Sequence, residues 1–263
     1  MSTGKLGNVR SPSYLVCATE RSGSTLLCEL LAGTGVAGRP EEFFEFLTAT
    51  GRPRQPREYF DDDPAIAARL PPLLAPVPQP TWRERLDDAL ARGTTPNGVF
   101  GAKMMWAYLD DFLAHGDPEE ALGPLRWVHV DREDTLSQAI SLWRAIQTSE
   151  WRAEDDGGDD AEPVFDAGAI SHLKRRLEEH ARNWRGWFAE RGIEPLEIGY
   201  EAFSADPHGT VRRVLAHLDL PTDVPIPDPP MRRQSDGLSR EWADRYREEA
   251  SEAMTSDLPR GRA

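Results

Sequence analysis

The chain has 263 residues and a formal net charge of −14 at pH 7, a length that allows a large buried core and favours one α/β domain. The acidic charge argues against nucleic-acid binding through a general basic field, so a polyanionic nucleotide would need a local cluster of cations. The sequence contains no apolar run as long as a signal peptide or a membrane span, which predicts a cytoplasmic protein.

Neither the cysteines nor the histidines predict a metal site. Cys17 and Cys28 lack the spacing of metal ligands or of a disulfide framework, and we expect buried free thiols. The histidines are scattered. Composition divides the chain into a flexible N-terminus (1–12), a domain (13–253) with an irregular excursion (52–80) and an acidic loop (154–162), and a flexible C-terminus (254–263).

The first predicted elements are a strand, a glycine-containing turn and a helix. Strand formers precede the turn, and leucines recur after it at helical spacing. Such a turn leaves backbone N–H groups unpaired at the positive end of a helix, where they favour an anion. The amides are those of Ser22, Gly23, Ser24 and Thr25. The pattern predicts a phosphate or sulfate site, and the alternative is an ordinary turn with a surface Arg21.

The usual ATP-binding loop, Gly-x-x-x-x-Gly-Lys-Ser/Thr, is absent. The run Arg21-Ser22-Gly23-Ser24-Thr25 is shorter and places its cation before the turn. It resembles the 5′-phosphosulfate loop of sulfotransferases that use 3′-phosphoadenosine 5′-phosphosulfate (PAPS).

Three glutamates follow the first helix. Pro40 suits the first turn of a short helix, and acids behind it suit the positive end of the helix dipole. The functional alternative is a general base close to the anion loop. The spacing does not choose among Glu41, Glu42 and Glu45.

A second predicted strand contains a lysine. Residues 97–106 predict a turn followed by an apolar strand in which Lys103 is the only charged residue. A buried lysine is costly unless it meets an anion or opens into a cleft. Lys103 is therefore a candidate for the anion site, and snorkelling to solvent is the alternative.

A third strand is predicted over 125–131, followed by a helix over 135–151. Because ligands of open α/β sheets gather at the carboxyl ends of strands, Arg132 and a helix serine, Ser137 or Ser141, are placed to bind a second phosphate. A surface ion pair of Arg132 with a nearby acid is the alternative. Farther along, Arg233 lies in an irregular segment and is either part of an anion clamp or a solvated side chain.

Several ordered motifs together resemble the bacterial trehalose 2-sulfotransferase family, over residues from about 13 to 250. Besides the anion loop they are Gly35-Val36-Ala37-Gly38, Pro40-Glu41-Glu42-Phe43-Phe44, Thr95-Pro96-Asn97-Gly98-Val99 with Lys103, Gln138-Ala139-Ile140-Ser141-Leu142-Trp143-Arg144-Ala145 and Glu241-Trp242-Ala243-Asp244-Arg245-Tyr246. The resemblance implies a single domain with a central parallel sheet flanked by helices, a P-loop-kinase-like sulfotransferase fold, and a homodimer.

The resemblance also implies a donor, PAPS, and roles for individual residues. The phosphosulfate would lie on Arg21 to Thr25, and Arg132 with Ser141 would hold the 3′-phosphate. Arg233 would close over the nucleotide, and Glu42 matches the family's general base. Fixed donors, the loop amides, Arg21 and Lys103, would stabilise charge that develops during transfer, with no metal required.

One position departs from the family pattern. Arg39 stands where the family has an acidic residue that reaches sugar hydroxyls, and its charge would instead attract an anionic acceptor. Trehalose or a related glycoside is the expected acceptor, and another hydroxyl or phenol, as on a secondary metabolite, is the alternative. An ATP-dependent kinase or a non-catalytic nucleotide-binding protein are the alternatives of another class.

Overall fold

The computed structural model describes residues 13–149, 151, 162–229 and 237–256. Its centre is a sheet of four parallel strands: β1 Ser13–Ala18, β2 Phe100–Met105, β3 Leu125–Asp131 and β4 Leu196–Gly199. The strand order is β2-β1-β3-β4. The predicted α/β domain with a central parallel sheet is confirmed.

Helices connect and flank the strands. Their bounds are α1 Ser24–Gly33, α2 Pro64–Ala67, α3 Trp82–Gly93, α4 Leu109–Leu113, α5 Pro118–Leu122, α6 Thr135–Thr148, α7 Ala167–Arg191, α8 Tyr200–Ala205, α9 Pro207–His217 and α10 Gly237–Ser256. Two 3-10 turns, Pro56–Phe60 and Trp106–Tyr108, lie between them. Side-chain caps begin four of the longer helices, at Thr81, Asp134, Asp166 and Asp206, as expected where a side-chain oxygen satisfies a free helix amide.

The apolar residues form two cores. The main core surrounds the sheet and includes β1, α1, α9 and the second half of α7. A second core joins α6, the first half of α7 and α10 to residues 59–70. Part of the predicted irregular excursion is therefore packed inside, through Tyr59, Phe60 and Ile66. Its later part is extended, and Leu73 and Leu74 are exposed.

The short helix predicted after Pro40 does not form. The chain from Arg39 to Glu41 instead runs between the end of α3 and the edge of β2: Arg39 N–H donates to the carbonyl of Gly93 in α3, and the N–H of Lys103 in β2 donates to the Glu41 carbonyl, both at 2.9 Å. These bonds replace those that a helix would make, because the end of a helix and an edge strand both offer unpaired groups. The extended path brings Glu42 next to Lys103.

Four predictions fall wholly or mainly outside the described residues. They are the flexible N-terminus over 1–12, all but Glu162 of the acidic loop, the role of Arg233, and the flexible C-terminus over 254–263, of which only 254–256, at the end of α10, are described. Among the helices that the structure describes, none combines the length and the apolar character needed to cross a bilayer.

Candidate active site

The anion loop lies at the carboxyl edge of the sheet, where β1, β2 and β3 end side by side. Ala18, the last residue of β1, is beside Met105 of β2 and Val130 of β3. The loop after β1 is therefore flanked by the residues that follow β2 and β3, which include Arg132. This is the usual position of ligands in open α/β sheets.

The backbone of the loop has the conformation that an anion site needs. Arg21 and Gly23 both have positive φ, 61° and 86°, and this turn leads directly into α1. Gly23 is the N-cap of α1 and has no side chain, so no N-cap side chain accepts a hydrogen bond from the first amides of the helix. A Cβ on Gly23 would lie 2.6 Å from the Tyr200 ring, so both the backbone and the packing require glycine.

Two serines of the loop are buried. Ser22 is 0% and Ser24 is 2% exposed. Within the described part of the chain, the Ser22 hydroxyl has no hydrogen-bond partner. A buried hydroxyl without a partner is uncommon, and here it lies in a loop whose amides also favour an anion.

Arg21, Ser141 and Arg132 are brought together on the β3 side of the loop. Arg21 Nε donates to Ser141 Oγ at 2.9 Å, and Arg132 donates to the Arg21 carbonyl at 3.1 Å. The Arg132 guanidinium lies over the Tyr200 ring, 4.4 Å from its centre, and its buried Nε has no partner among the residues described. Arg132 and Ser141, which the sequence predicted to lie together, both contact Arg21. Ser137 instead caps α6 together with Asp134.

Lys103 is buried on the β2 side, and it does not snorkel to solvent. Its side chain is 5% exposed, Nζ donates to Thr25 Oγ1 at 2.8 Å, and it forms an ion pair with Glu42. The lysine therefore connects the last residue of the loop to a carboxylate. That carboxylate remains 22% exposed, as a base that meets an acceptor needs.

The structure separates the three glutamates that the spacing left equivalent. Glu41 points to the surface and forms an ion pair with Arg92 at 2.8 Å. Glu42 reaches Lys103. Glu45 accepts a hydrogen bond from the Tyr108 hydroxyl at 3.4 Å and lines the same small space as Glu42 and Lys103.

Two carboxyl groups near the loop have strongly shifted pKa values. Burial, and then the charge and hydrogen bond of Glu42, raise the pKa of Glu45 to about 9. Burial would also raise the pKa of Glu20, but His180, with smaller effects of a backbone hydrogen bond and of Arg54, lowers that pKa to about 2. His180 Nδ1 lies 3.8 Å from Glu20 Oε2, within ion-pair range but beyond hydrogen-bond distance, and neither atom has a hydrogen-bond partner among the described residues.

Sequence reasoning missed four contributors to this site. Glu20 and Tyr200 are not part of any motif that spacing could have identified. His180 and Tyr108 belong to elements that are far from the loop in the sequence. Glu20 directly precedes Arg21 in the loop, and this neighbourhood was the only available signal.

A cavity of about 330 Å³ opens beside Glu42. It is lined by acidic, basic and apolar residues: Glu41, Glu42, Phe43, Pro80, Glu84, Arg85, Asp88 and Arg92. Arg39 is exposed, and its backbone pairs with Gly93 at the edge of this region. Across the described ranges, no group of three or more possible metal ligands is present.

Comparison with known proteins gives a consistent result. The model of the Stf0 sulphotransferase family matches residues 13–249. A trehalose 2-sulfotransferase of Mycobacterium tuberculosis (strain Erdman) is 42% identical over 90% of this chain and 95% of its own length. One from Mycolicibacterium smegmatis is 38% identical over the same shares. The crystal structure of a sulfotransferase from Alicyclobacillus acidocaldarius, 15% identical, aligns with a TM-score of 0.49 over 94% of this chain and 92% of that one.

Proposed function

Because the chain belongs to the Stf0 sulphotransferase family, we propose that this enzyme transfers the sulfuryl group of PAPS to a hydroxyl of trehalose. The donor follows from the family and from the loop. The acceptor follows from the two relatives, whose names specify trehalose and whose sequences match this chain almost from end to end.

The residues of the loop fit the proposed donor. An anion that entered the loop would meet the free amides at the start of α1 and the Ser22 hydroxyl, which is buried without a partner among the described residues. Arg132 Nε is a second buried donor that has no hydrogen-bond partner among the described residues. Arg132 donates directly to the Arg21 carbonyl of the loop. We assign Arg132 and Ser141 to the 3′-phosphate, with Arg233 as a further proposed contact.

The single observation that carries the proposal is the chain of contacts from Glu42 through Lys103 to Thr25. It fixes a carboxylate beside the loop that would hold the transferred group. Glu42 would take the proton of the acceptor hydroxyl as its oxygen bonds to sulfur, while the bond from sulfur to the 5′-phosphate oxygen breaks. A positioned base of this kind contributes about 10²–10⁴-fold. The Lys103 ammonium, Arg21 and the loop amides would stabilise the negative charge of the transferred and leaving groups.

The cavity beside Glu42 suits a polyhydroxylated acceptor. Its volume of about 330 Å³ lies within the range of about 300–1,000 Å³ for small-molecule sites. Carboxylates such as Glu84 and Asp88 accept hydrogen bonds from hydroxyls, and Arg85 donates them. We place the acceptor there, with its reacting hydroxyl at Glu42 and with Arg39 at the outer edge.

Calorimetric titration tests the donor. We expect 3′-phosphoadenosine 5′-phosphate to bind tightly without magnesium, and ADP to bind weakly with or without it. Magnesium-dependent ADP binding would favour a kinase, and no binding of the bisphosphate would overturn the proposal.

A sulfation assay with PAPS and trehalose then tests the acceptor on the same sample. Mass spectrometry should detect a trehalose monosulfate. Binding of the bisphosphate without sulfation of trehalose would move the proposal to another hydroxylated acceptor, and binding without turnover on a panel of sugars and phenols would favour a non-catalytic binding protein.

The proposed enzyme acts as a homodimer in the cytoplasm. Both properties come from the family resemblance and the composition. Light scattering of the purified chain and cell fractionation would test them, with a monomeric mass or a membrane-bound fraction as the contrary results.

A further inference from the structure

Glu42 and Glu45 form a pair of carboxyl groups in a rigid turn. The Glu45 N–H donates to the Glu42 carbonyl at 3.2 Å, which closes the turn. Between them, Phe44 is 1% exposed and packs edge-on against Phe112, with ring centroids 4.8 Å apart. The backbone and the buried ring therefore hold the two residues next to each other, and both line the same small space with Lys103 and Tyr108.

Each carboxyl group has a different second partner. Glu42 forms an ion pair with Lys103. Glu45 accepts a hydrogen bond from the Tyr108 hydroxyl. The same hydroxyl oxygen accepts a hydrogen bond from the Arg54 N–H at 2.8 Å. Because the Tyr108 oxygen already accepts from Arg54, its own proton is free for Glu45.

We propose that Glu45 is a positioning residue of the sulfuryl-transfer site, which holds the Glu42 carboxylate between its own carboxyl group and the Lys103 ammonium. The inference rests on the proposed function, since it assigns Glu45 a role toward the base of that reaction. The spacing left Glu45 as one of three candidates for the base, and the inference gives it a different role.

The charges around the pair indicate where its proton lies. Two carboxylates in contact do not both ionise readily, and the single positive charge of Lys103 is paired with Glu42. Burial and the Glu42 charge accordingly raise the pKa of Glu45 to about 9, against smaller opposite effects of Lys103 and Tyr108. Tyr59, Arg54 and Glu20 also face this region. At neutral pH, Glu45 therefore carries a proton and donates it in a hydrogen bond to the Glu42 carboxylate.

This arrangement has a catalytic consequence. With donors on two sides, from Lys103 and Glu45, the Glu42 carboxylate is fixed and still has lone pairs available to an acceptor in the cavity that Glu42 lines. Ionisation of Glu45 replaces one donor by a negative charge and releases Glu42 from that position. We expect turnover to fall as the pH rises through about 9.

The test compares variants of Glu45 in the full chain, with PAPS and trehalose. Glu45→Gln keeps the shape and an N–H donor, so it should retain most of the turnover at pH 7 and lose the alkaline fall of kcat. Glu45→Ala removes the donor and should lower kcat by about 10–10²-fold, with an unchanged Kd for 3′-phosphoadenosine 5′-phosphate. Tyr108→Phe removes a hydrogen bond that lowers the pKa of Glu45, and should move the alkaline fall to higher pH.

The matched control is Glu178→Gln, which changes another glutamate that is paired with a lysine, Lys174, on the distant helix α7. It should leave the pH profile unchanged. An alkaline fall that persists in Glu45→Gln, or a Glu45→Ala variant with full turnover, would overturn the inference while sulfuryl transfer stands.

A second measurement does not depend on activity. Carbon-13 NMR of protein labelled at glutamate carboxyl groups should show a resonance that titrates near pH 9 and disappears in Glu45→Gln. A wild-type protein without that resonance would contradict the protonated pair. A wild-type protein that sulfates nothing would instead overturn the proposed function, whatever the NMR titration gives.

Discussion

Two glutamates near the anion loop, Glu20 and Glu45, are both largely shielded from solvent and both interact with Tyr59 and Tyr108, yet other neighbours move their pKa values in opposite directions. On the α7 side, Glu20 lies beside His180, and its pKa falls to about 2 despite burial. On the β2 side, Glu45 lies beside Glu42, and its pKa rises to about 9. Burial raises the pKa of a carboxyl group in both places, so the neighbour decides the sign of the shift.

The opposite pKa shifts indicate different roles for Glu20 and Glu45. The Glu20 charge anchors the backbone of the loop to α7, which also donates from Trp184 Nε1 to the Ala18 carbonyl at 2.9 Å. The Glu45 proton orients the proposed base.

Glu42→Gln should have the largest effect, because it removes the proposed general base and leaves the anion loop unchanged. We expect kcat to fall by about 10²–10⁴-fold and the Kd for 3′-phosphoadenosine 5′-phosphate to change little. Steady-state kinetics and calorimetry on one preparation measure both quantities. Undiminished turnover would exclude Glu42 from the mechanism, and Glu178→Gln serves as the control.

Arg132→Ala should affect the β3 side and leave the base intact. We expect binding of 3′-phosphoadenosine 5′-phosphate to weaken by about 3–4 kcal/mol, because a largely desolvated phosphate loses a charged partner. The control is Arg126→Ala, at the opposite end of β3, where the arginine pairs with Asp219. Equal affinities of the two variants would contradict the assignment.

His180→Ala leaves Glu20 buried without its partner, and should lower the free energy of unfolding by about 3 kcal/mol at pH 7. Since the folded-state pKa of Glu20 is about 2 and its ordinary value is 4.5, the stabilisation is present above pH 4.5 and is lost as the pH falls toward 2. Urea denaturation at pH 7 and pH 3 should therefore show a smaller difference between variant and wild type at pH 3. A constant difference would argue against the ion pair.

Glu45→Gln should show the opposite dependence on pH. Between pH 4.5 and about 9 the folded protein keeps a proton on Glu45 that the unfolded chain has lost, so the stability of the wild type falls as pH rises. The glutamine variant lacks this penalty, so its stability relative to the wild type should increase by about 1.4 kcal/mol for each pH unit between pH 6 and pH 8. Parallel stability curves would show that Glu45 is ionised in the folded state.

The smallest effect is expected from Arg92→Gln in the proposed acceptor cavity. Arg92 pairs with Glu41 and Asp88, and both of these line the cavity. Because the pairs are exposed, we expect about 1 kcal/mol or less, seen as a several-fold higher KM for trehalose with unchanged nucleotide affinity. An unchanged KM would move the acceptor away from this cavity.

Local patterns predicted most of the elements. The loop between β1 and α1, the strand that contains Lys103, and the helix after Asp206 all follow from apolar periodicity and caps. The short helix after Pro40 was wrong because the edge of β2 pairs with this segment. Helices as short as α4 and α8 were missed, since one or two turns carry little periodicity.

The sequence by itself determined the α/β order of elements and the anion loop, because strand, turn and helix signals lie within a few residues of one another. The spacing left three glutamates equivalent and the family resemblance matched one of them, Glu42, but only the tertiary structure showed what each of them contacts. Glu41, Glu42 and Glu45 have similar local surroundings, and their partners, Arg92, Lys103 and Tyr108, come from elements that are distant in the chain. Charge and desolvation depend on distances in space, which a pattern along the chain does not contain.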